Sequence, residues 1–403
     1  MVTYAFRAKN LGPLRDVDWR IPPGVSVVVG PNGVGKSTLL RLPEFGRITL
    51  LDSLKAAVTQ VFDGTAYLRN HDARVDDEIR FGASVDQARW DVTVNVAPGN
   101  LDTLAAEEFA WTDGARLRRD SRSARVYLAD NEELPWHMEM IPRGIADRVR
   151  GVARADIRTK LEAARESCPA NARAAVPGAL LVYLSLTGDV YGFQTYRYLL
   201  QHIAKYGSPQ SPDLVLQPSG ENVFPLLRNW RDRSDHEHRF EFVLSTLREA
   251  FPHVNKLDFE QAGQTVTVAV LDKRYAGKKT PISRESTGFL TALLHLCAIA
   301  SCSKGGLVTL DELETSLHPR AIKVLLSAFR SWAKEHDLSI VLATQSETVL
   351  DQFQEEPEKI QVLEPKMSPG PKPLTELYEP EWLKQFSLGD LFGQLEYGSG
   401  TTE

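Results

Sequence analysis

Cysteine is scarce in this 403-residue chain: only Cys168, Cys297 and Cys302 are present. Three thiols cannot all pair with one another, so no disulfide framework is expected, and a reduced, cytoplasmic compartment fits best. Cys297 and Cys302 flank the tetrapeptide AIAS in an apolar stretch, and that spacing matches no zinc pattern. Long apolar runs are also missing. None approaches the ~20 residues of a membrane span, and the opening MVTYAFRAKN lacks the apolar core of a signal peptide. An excess of positive charge is missing too. Lys and Arg total 47 against 53 Asp and Glu, a net charge of −6. That excludes a chain basic throughout, while leaving room for a local basic face. Internal repeats, low-complexity tracts and sustained heptads between Asp63 and Pro252 are all lacking. The length allows one large domain with insertions or two to three smaller ones.

What is present alternates between strand and helix patterns. TYAFRAKN and DVDWRI read as short strands and VSVVVG as a buried one. A helical pattern follows Gly35, with Pro43 expected to kink or split it. RWDVTVNV alternates as a strand, and FAWTDGARLRRDSRSARVYLA reads as a hairpin with DG or DSRS as its turn. Helical, charged sequence is expected over 147–166, a second helix over TYRYLLQHIAKYG, and a third over FEFVLSTLREAFP, stopped by Pro252. QTVTVAVLD reads as a strand and TGFLTALLHLCAIAS as a buried helix. RAIKVLLSAFRSWAKEH has amphipathic spacing, SIVLAT is a strand, and the proline-rich stretch 364–373 is extended.

Two motifs carry chemistry. GPNGVGKST, residues 30–38, fits GxxxxGK[ST] between a buried strand and a helix. Such glycines let the backbone curl so that successive N–H groups face phosphate oxygens. The expected nucleotide-binding residues are Asn32, Gly33, Gly35, Lys36, Ser37 and Thr38, with Lys36 reaching the β- and γ-phosphates and Ser37 ligating Mg²⁺. The second motif, LVTLDELETSLHP, is an apolar strand that ends in two adjacent carboxylates. In open parallel sheets ligands bind at that end of a strand. Asp311 is therefore the second Mg²⁺ ligand, and Glu312 is the carboxylate that polarises the attacking water.

Together, GPNGVGKST, LVTLDELETSLHP and IVLATQSETVL resemble the ABC-type ATPase heads of the RecF, SMC and OLD group. The resemblance is closest to the compact bacterial "AAA family" ATPases found in anti-phage defence, such as Septu-like or retron-associated systems. YAFRAKNLGPLRDVDWRI, LQPSGENVFPLLRNW and WLKQFSLGDLFGQLEYG extend it to both ends of the chain. It implies an α/β P-loop NTPase head with an antiparallel β subdomain and a helical lid insertion. The implied spans are an N-terminal lobe over 1–62, a β and helical lid over 63–252, a C-terminal lobe over 253–363, and an extension over 364–403 docking on the head.

The resemblance also implies ATP and Mg²⁺, and a homodimer or higher oligomer sandwiching ATP so that a signature from one protomer meets the γ-phosphate held by the other. Ser286 and Gly288 in ESTG best match that LSxG signature, with Glu285 standing where leucine is usual; another register would use Ser283. Ser286 also suits capping of a helix that begins at Thr287. ETSLHP, ending in His318 and Pro319, resembles the dimer-contact loop. Gln345 occupies a switch position where many such heads carry histidine, and it can donate a hydrogen bond but not become a cation. A transporter ATPase is disfavoured by the long separation of Lys36 from Asp311 and by the absence of an apolar span.

Larger OLD relatives append a metal-dependent nuclease domain, for which too few residues remain after Leu350. WRDRSDHEHRF places Asp235, His236, Glu237 and His238 together, and Arg231 with His236 has a spacing seen in some ribonucleases; a charged helix start explains the cluster equally well. Arg116, Arg118, Arg119, Arg122 and Arg125, continued by Arg143, Arg148, Arg150, Arg154 and Arg158, suit a phosphate backbone of DNA or RNA, diluted by Asp120, Asp130 and Asp147. The functional expectation is an ATPase gating a separate nuclease or toxin in anti-phage defence. The alternatives are a RecF-like repair ATPase binding DNA directly, and a scaffold using ATP as structural glue.

Overall fold

A computed structural model describes residues 3–85, 88–95, 104–111, 116–120, 124–127, 133–134, 193–196, 198–273, 278–365 and 367–395. The first hairpin, β1 (Tyr4–Leu11) and β2 (Leu14–Ile21), precedes β3 (Gly24–Val29), which runs into the glycine-rich loop. Three helices follow: α1 (Lys36–Leu40), α2 (Leu42–Leu51) and α3 (Leu54–Phe62). Pro43 lies in the first turn of α2, so the helical pattern after Gly35 is split where proline tolerates a helix start.

An antiparallel meander comes next: β4 (Ile79–Val85), β5 (Ala88–Val94), β6 (Leu104–Trp111), β7 (Arg116–Asp120), β8 (Ala124–Tyr127) and β9 (Glu133–Leu134). The expected single hairpin is thus three strands, with the DG candidate in 112–115 between β6 and β7, and the DSRS candidate starting at Asp120, the last residue of β7, and running over 121–123 to β8. This meander is continuous with the first hairpin, in the order β2-β1-β4-β5-β6-β7-β8-β9.

The second sheet is the central one. Its strands are β10 (Phe193–Thr195), β15 (Leu307–Asp311), β16 (Ser339–Ala343), β3, β17 (Ile360–Val362) and β18 (Lys372–Pro373), in that order. All neighbours are parallel except β17 and β18. A third sheet sets β13 (Thr265–Asp272) between β12 (Val254–Ala262) on one edge and β11 (Ser208–Pro209) with β14 (Lys279–Pro281) on the other. The remaining longer helices are α4 (Leu200–Tyr206), α5 (Val223–Arg231), α6 (Glu237–Ala250), α7 (Thr287–Ser301) and α8 (Pro319–His336). Short α9 (Glu347–Leu350), α10 (Leu374–Leu377) and α11 (Pro380–Leu383) lead to α12 (Leu388–Leu395).

Period-two alternation in the central strands feeds two cores. Val25, Val27 and Val29 of β3, Val308 and Leu310 of β15, and Ile340 and Leu342 of β16 pack with the helical layer of α5 to α8. Val28, Leu307, Val341 and Ala343 point the other way, into a core made by α1 to α3 and the antiparallel sheet. A buried hydrogen bond ties the two sheets, as Trp19 Nε1 donates to Gln361 Oε1 at 2.6 Å.

Two expectations are corrected. TYRYLLQHIAKYG is not helical throughout: Thr195 ends β10, and α4 begins only at Leu200. The β-branched Thr195 packs its hydroxyl 2.7 Å from that of Thr309 on the neighbouring strand, so sheet pairing overrides helical periodicity there. The span 63–252 is likewise no single insertion, because β4 extends the N-terminal sheet and β10 extends the central one. The helical pattern over 147–166 lies outside the described residues. The described residues thus form an α/β architecture, a mostly parallel central sheet with a helical layer on one face and an antiparallel sheet packed on the other.

Candidate nucleotide site

The site forms where three adjacent parallel strands, β15, β16 and β3, release their chains at the carboxyl edge of the sheet. After Val29 the chain turns through three glycines with positive φ: Gly30 (156°), Gly33 (78°) and Gly35 (106°). Gly30 also needs its missing side chain, since a Cβ there would lie 2.2 Å from the carbonyl oxygen of Leu363. Lys36 opens α1 and folds back over the loop, its Nζ donating to the carbonyls of Gly30 at 2.7 Å and Pro31 at 2.9 Å. Burial lowers the Lys36 pKa, and the charges of Asp311, Glu312 and Glu314 partly oppose that shift.

β15 ends at Asp311, and the chain then leaves through Glu312 in a left-handed conformation (φ 51°). Its N–H donates to the carbonyl of Ala343 at 3.1 Å, which pins the turn to the end of β16. Thr315 Oγ1 donates to Glu312 Oε2 at 3.2 Å. Across the gap, Gln345 Nε2 donates to Asn32 Oδ1 in the glycine-rich loop at 2.7 Å.

A cavity of about 620 Å³ is lined by Asn32, Gly33, Gly35, Lys36, Ser37, Thr38, Asp311, Glu312 and Gln345, together with Pro13 and Glu314. Its volume suits a nucleotide-sized ligand. The glycine-rich loop, the acidic pair and Gln345 therefore meet in one place, although the loop and the acidic pair lie far apart in the chain.

Ser286 and Gly288 are not among the residues lining that cavity. Ser286 caps α7, accepting from the Phe289 N–H at 3.1 Å. A Cβ on Gly288 would lie 2.2 Å from the carbonyl oxygen of Ser316, so the start of α7 rests directly on the loop that follows Glu312. Glu285 faces His253, with Oε2 3.3 Å from Nε2. Ser283 lies in a single 3-10 turn beside Ile282, ahead of that cap. His318 caps α8 through Nδ1, which accepts from the Arg320 N–H at 3.2 Å, and Pro319 takes the first helical position.

Glu314 and Pro13 line the cavity without having been singled out in the sequence. The signal for Glu314 was present as a third acid in DELE, two residues beyond Glu312. Nothing in LGPL marks Pro13 before folding, because its place depends on the β1–β2 turn packing against the glycine-rich loop near Gly35.

Among the described residues no group of three His, Cys, Asp or Glu side chains is placed to hold a metal. His236 pairs with Asp235 at 3.3 Å, and His238 stacks on Trp332 and His336 at centroid distances of 6.0 and 6.4 Å. Arg231 pairs with Asp232 at 2.8 Å. Cys297 and Cys302 are buried, burial pushing the Cys302 thiol up to about 12; Cys168 lies outside the described residues. Arg116, Arg118 and Arg119 lie in β7 and Arg125 in β8, with Arg118 exposed. Arg122, Arg143, Arg148, Arg150, Arg154 and Arg158 lie outside the described residues. No helix among the described residues is long and apolar enough to cross a membrane.

Residues 205–351 match the family described as "AAA domain, putative AbiEii toxin, Type IV TA system". That span holds Ser286, Gly288, Asp311, Glu312 and Gln345 and excludes the glycine-rich loop. No curated protein matches the chain. Among solved structures it is similar to an Smc head bound to the C-terminal winged-helix domain of ScpA, with 12% identity, a TM-score of 0.40, and coverage of 86% of this chain and 90% of that one. It is also similar to the Smc head with an extended coiled coil bound to the C-terminal domain of ScpA from Pyrococcus furiosus, with 11% identity, a TM-score of 0.38, and coverage of 87% and 91%. The SMC head domain from Thermotoga maritima gives 12% identity, a TM-score of 0.38, and coverage of 87% and 92%.

Proposed function

We propose that the chain is a Mg²⁺-dependent ATPase whose nucleotide state controls a separate effector, a nuclease or toxin, in anti-phage defence. The observation that carries the catalytic part is the single cavity joining Lys36 and Ser37 to Asp311, Glu312 and Gln345. Lys36 supplies positive charge for the β- and γ-phosphates. The Ser37 hydroxyl and the Asp311 carboxylate, which line this cavity, would hold Mg²⁺, and the bound ion would neutralise developing phosphate charge. Glu312 accepts a proton from, or orients, the attacking water, and Thr315 holds one of its oxygens at 3.2 Å. Gln345 donates to the γ-phosphate in place of Asn32.

Ser286 and Gly288 sit outside this cavity, which accords with a signature that serves a second protomer's nucleotide in a homodimer or a higher assembly. The family match over 205–351 supports the toxin-associated setting. DNA or RNA as a direct partner is the competing reading.

The Glu312→Gln protein, purified from its native cells with ATP and Mg²⁺, tests all of this. It is expected to bind ATP with near wild-type affinity, lose on the order of 100-fold or more in turnover, accumulate as a dimer, and retain a stoichiometric protein companion after nuclease treatment. Protected DNA without a protein companion would move the chain to the repair class. Unchanged turnover would remove Glu312 from the chemistry.

A further inference from the structure

Glu314 has no task in the reaction just described, yet it ties two elements of the site together. Its Oε1 accepts two hydrogen bonds from the exit of β16: Thr344 Oγ1 at 2.8 Å and the Gln345 N–H at 2.9 Å. Thr344 Oγ1 accepts the Ser346 N–H at 3.0 Å, so that hydroxyl is fixed as both donor and acceptor. The peptide so held carries the Gln345 side chain, which reaches Asn32 in the glycine-rich loop. Glu314 Oε2 is buried and finds no hydrogen-bond partner. Asp311 and Glu312 line the same cavity. With Oε2 buried and unpartnered, the two donors from the exit of β16 are the hydrogen bonds that hold this carboxylate.

We propose that Glu314 is a positioning residue: it latches the segment 344–346 to the loop that carries Glu312, so that Gln345 and Glu312 reach the phosphate end of the cavity together. This deepens the nucleotide reading above and rests on it. The acidic loop and the switch would then move as one element, and Asn32 is the partner that Gln345 exchanges for a γ-phosphate.

Three variants of the full chain test the latch: Glu314→Ala, Glu314→Gln and Thr344→Val, each alone and Glu314→Ala combined with Thr344→Val. Equilibrium binding of ATP and of ADP with Mg²⁺ is measured first, then kcat and KM, with thermal melts as a check on folding. Glu314→Ala is expected to lower kcat on the order of 30-fold with KM changed less than about threefold, and to lose most of the preference for ATP over ADP. Thr344→Val has a smaller effect in the same direction, and the double variant loses less than the sum of the two, because the Thr344–Glu314 bond is common to both. Glu314→Gln keeps a neutral Oε1 acceptor for both donors and restores kcat to within about fivefold.

A Glu314→Gln protein as impaired as Glu314→Ala would show that the charge itself is needed and overturn the positioning role. Full additivity with Thr344→Val, or an unchanged ATP preference in Glu314→Ala, would overturn it as well. Should Glu314→Ala fail to fold, Glu314→Gln and Thr344→Val decide alone: Thr344→Val must lower kcat and Glu314→Gln must retain it. A wild-type protein that binds neither nucleotide would instead sink the nucleotide reading and the latch with it.

Discussion

Lys36 is the residue where burial and charge compete most openly. An ordinary lysine titrates near 10.5, and burial lowers that value here while three carboxylates hold it back. The protonated form is therefore disfavoured in the folded, ligand-free protein. The sign follows: the penalty is full below the lowered pKa and is relieved as pH rises toward 10.5, so the free protein gains stability across that window. Phosphates act oppositely by holding the proton on Nζ. ATP affinity should fall as pH rises above the lowered value, approaching about tenfold per unit. Binding measured from about pH 7 up to about pH 10.5, the ordinary lysine value, checks this, with Lys36→Arg, which does not titrate there, giving a flat profile whatever its absolute affinity. A flat wild-type profile would mean that Lys36 does not meet the phosphates as the ammonium. At this scale the glycine-rich loop and the acidic pair were legible because their chemistry fixes residue type and spacing locally. Glu314 was not, since its importance comes from Thr344 and Gln345 on another strand.

Among the elements, α7 and the loop behind Glu312 form a close junction. Ser316 adopts a positive φ of 63°, and its carbonyl lies where a Cβ on Gly288 would be. Gly288→Ala must push one backbone off the other, an overpacking that costs about 1–3 kcal/mol. A lowered melting temperature, with turnover reduced more than ATP affinity, is the expected pair of results, since Lys36 and its loop are not displaced. Equal losses in both would place the strain at the glycine-rich loop instead.

The C-terminal helix gives a second element test. Asp351 Oδ1 accepts from Ser387 Oγ at 2.6 Å and from the Gly389 N–H at 2.9 Å, which fixes the start of α12 beside α9. Asp351→Ala should cost about 1–2 kcal/mol and raise hydrogen exchange in α12 several-fold while leaving α7 and α8 protected. Periodicity found most of these elements: the split after Gly35, the stop at Pro252 and the buried helix α7 all follow from local rules. It missed β10, because a three-residue strand is defined by the β15 edge it joins. It also could not see that β4 continues the first hairpin, a pairing between residues such as Phe6 and Ala83 that no local pattern encodes.

On the scale of the whole molecule, the central sheet is shared property. Val27 and Val29 of β3 belong to one core and Val28 to the other, and Trp19 hydrogen-bonds across to Gln361 on β17. Neither core can lose the sheet without the other losing a face, so the two should melt together even in a chain long enough to behave otherwise. The cavity opens where β3, β15 and β16 end, strands that contribute side chains to both cores. ATP with Mg²⁺ should therefore stabilise the described residues as one unit, by about 2.7 kcal/mol at a hundred times Kd. Calorimetry on the Glu312→Gln protein, which keeps the ligand unhydrolysed, should show one principal transition that moves upward as a whole. Gln361→Leu leaves Trp19 Nε1 and the Arg20 carbonyl without their Gln361 partners, at a cost of about 1–3 kcal/mol for the buried indole N–H. It should lower that same transition and leave the nucleotide-induced shift unchanged, because the site itself is untouched. Two transitions in the unmodified chain, with only one responding to ATP, would show instead that the cores are independent and that the sheet's register is set by one of them alone.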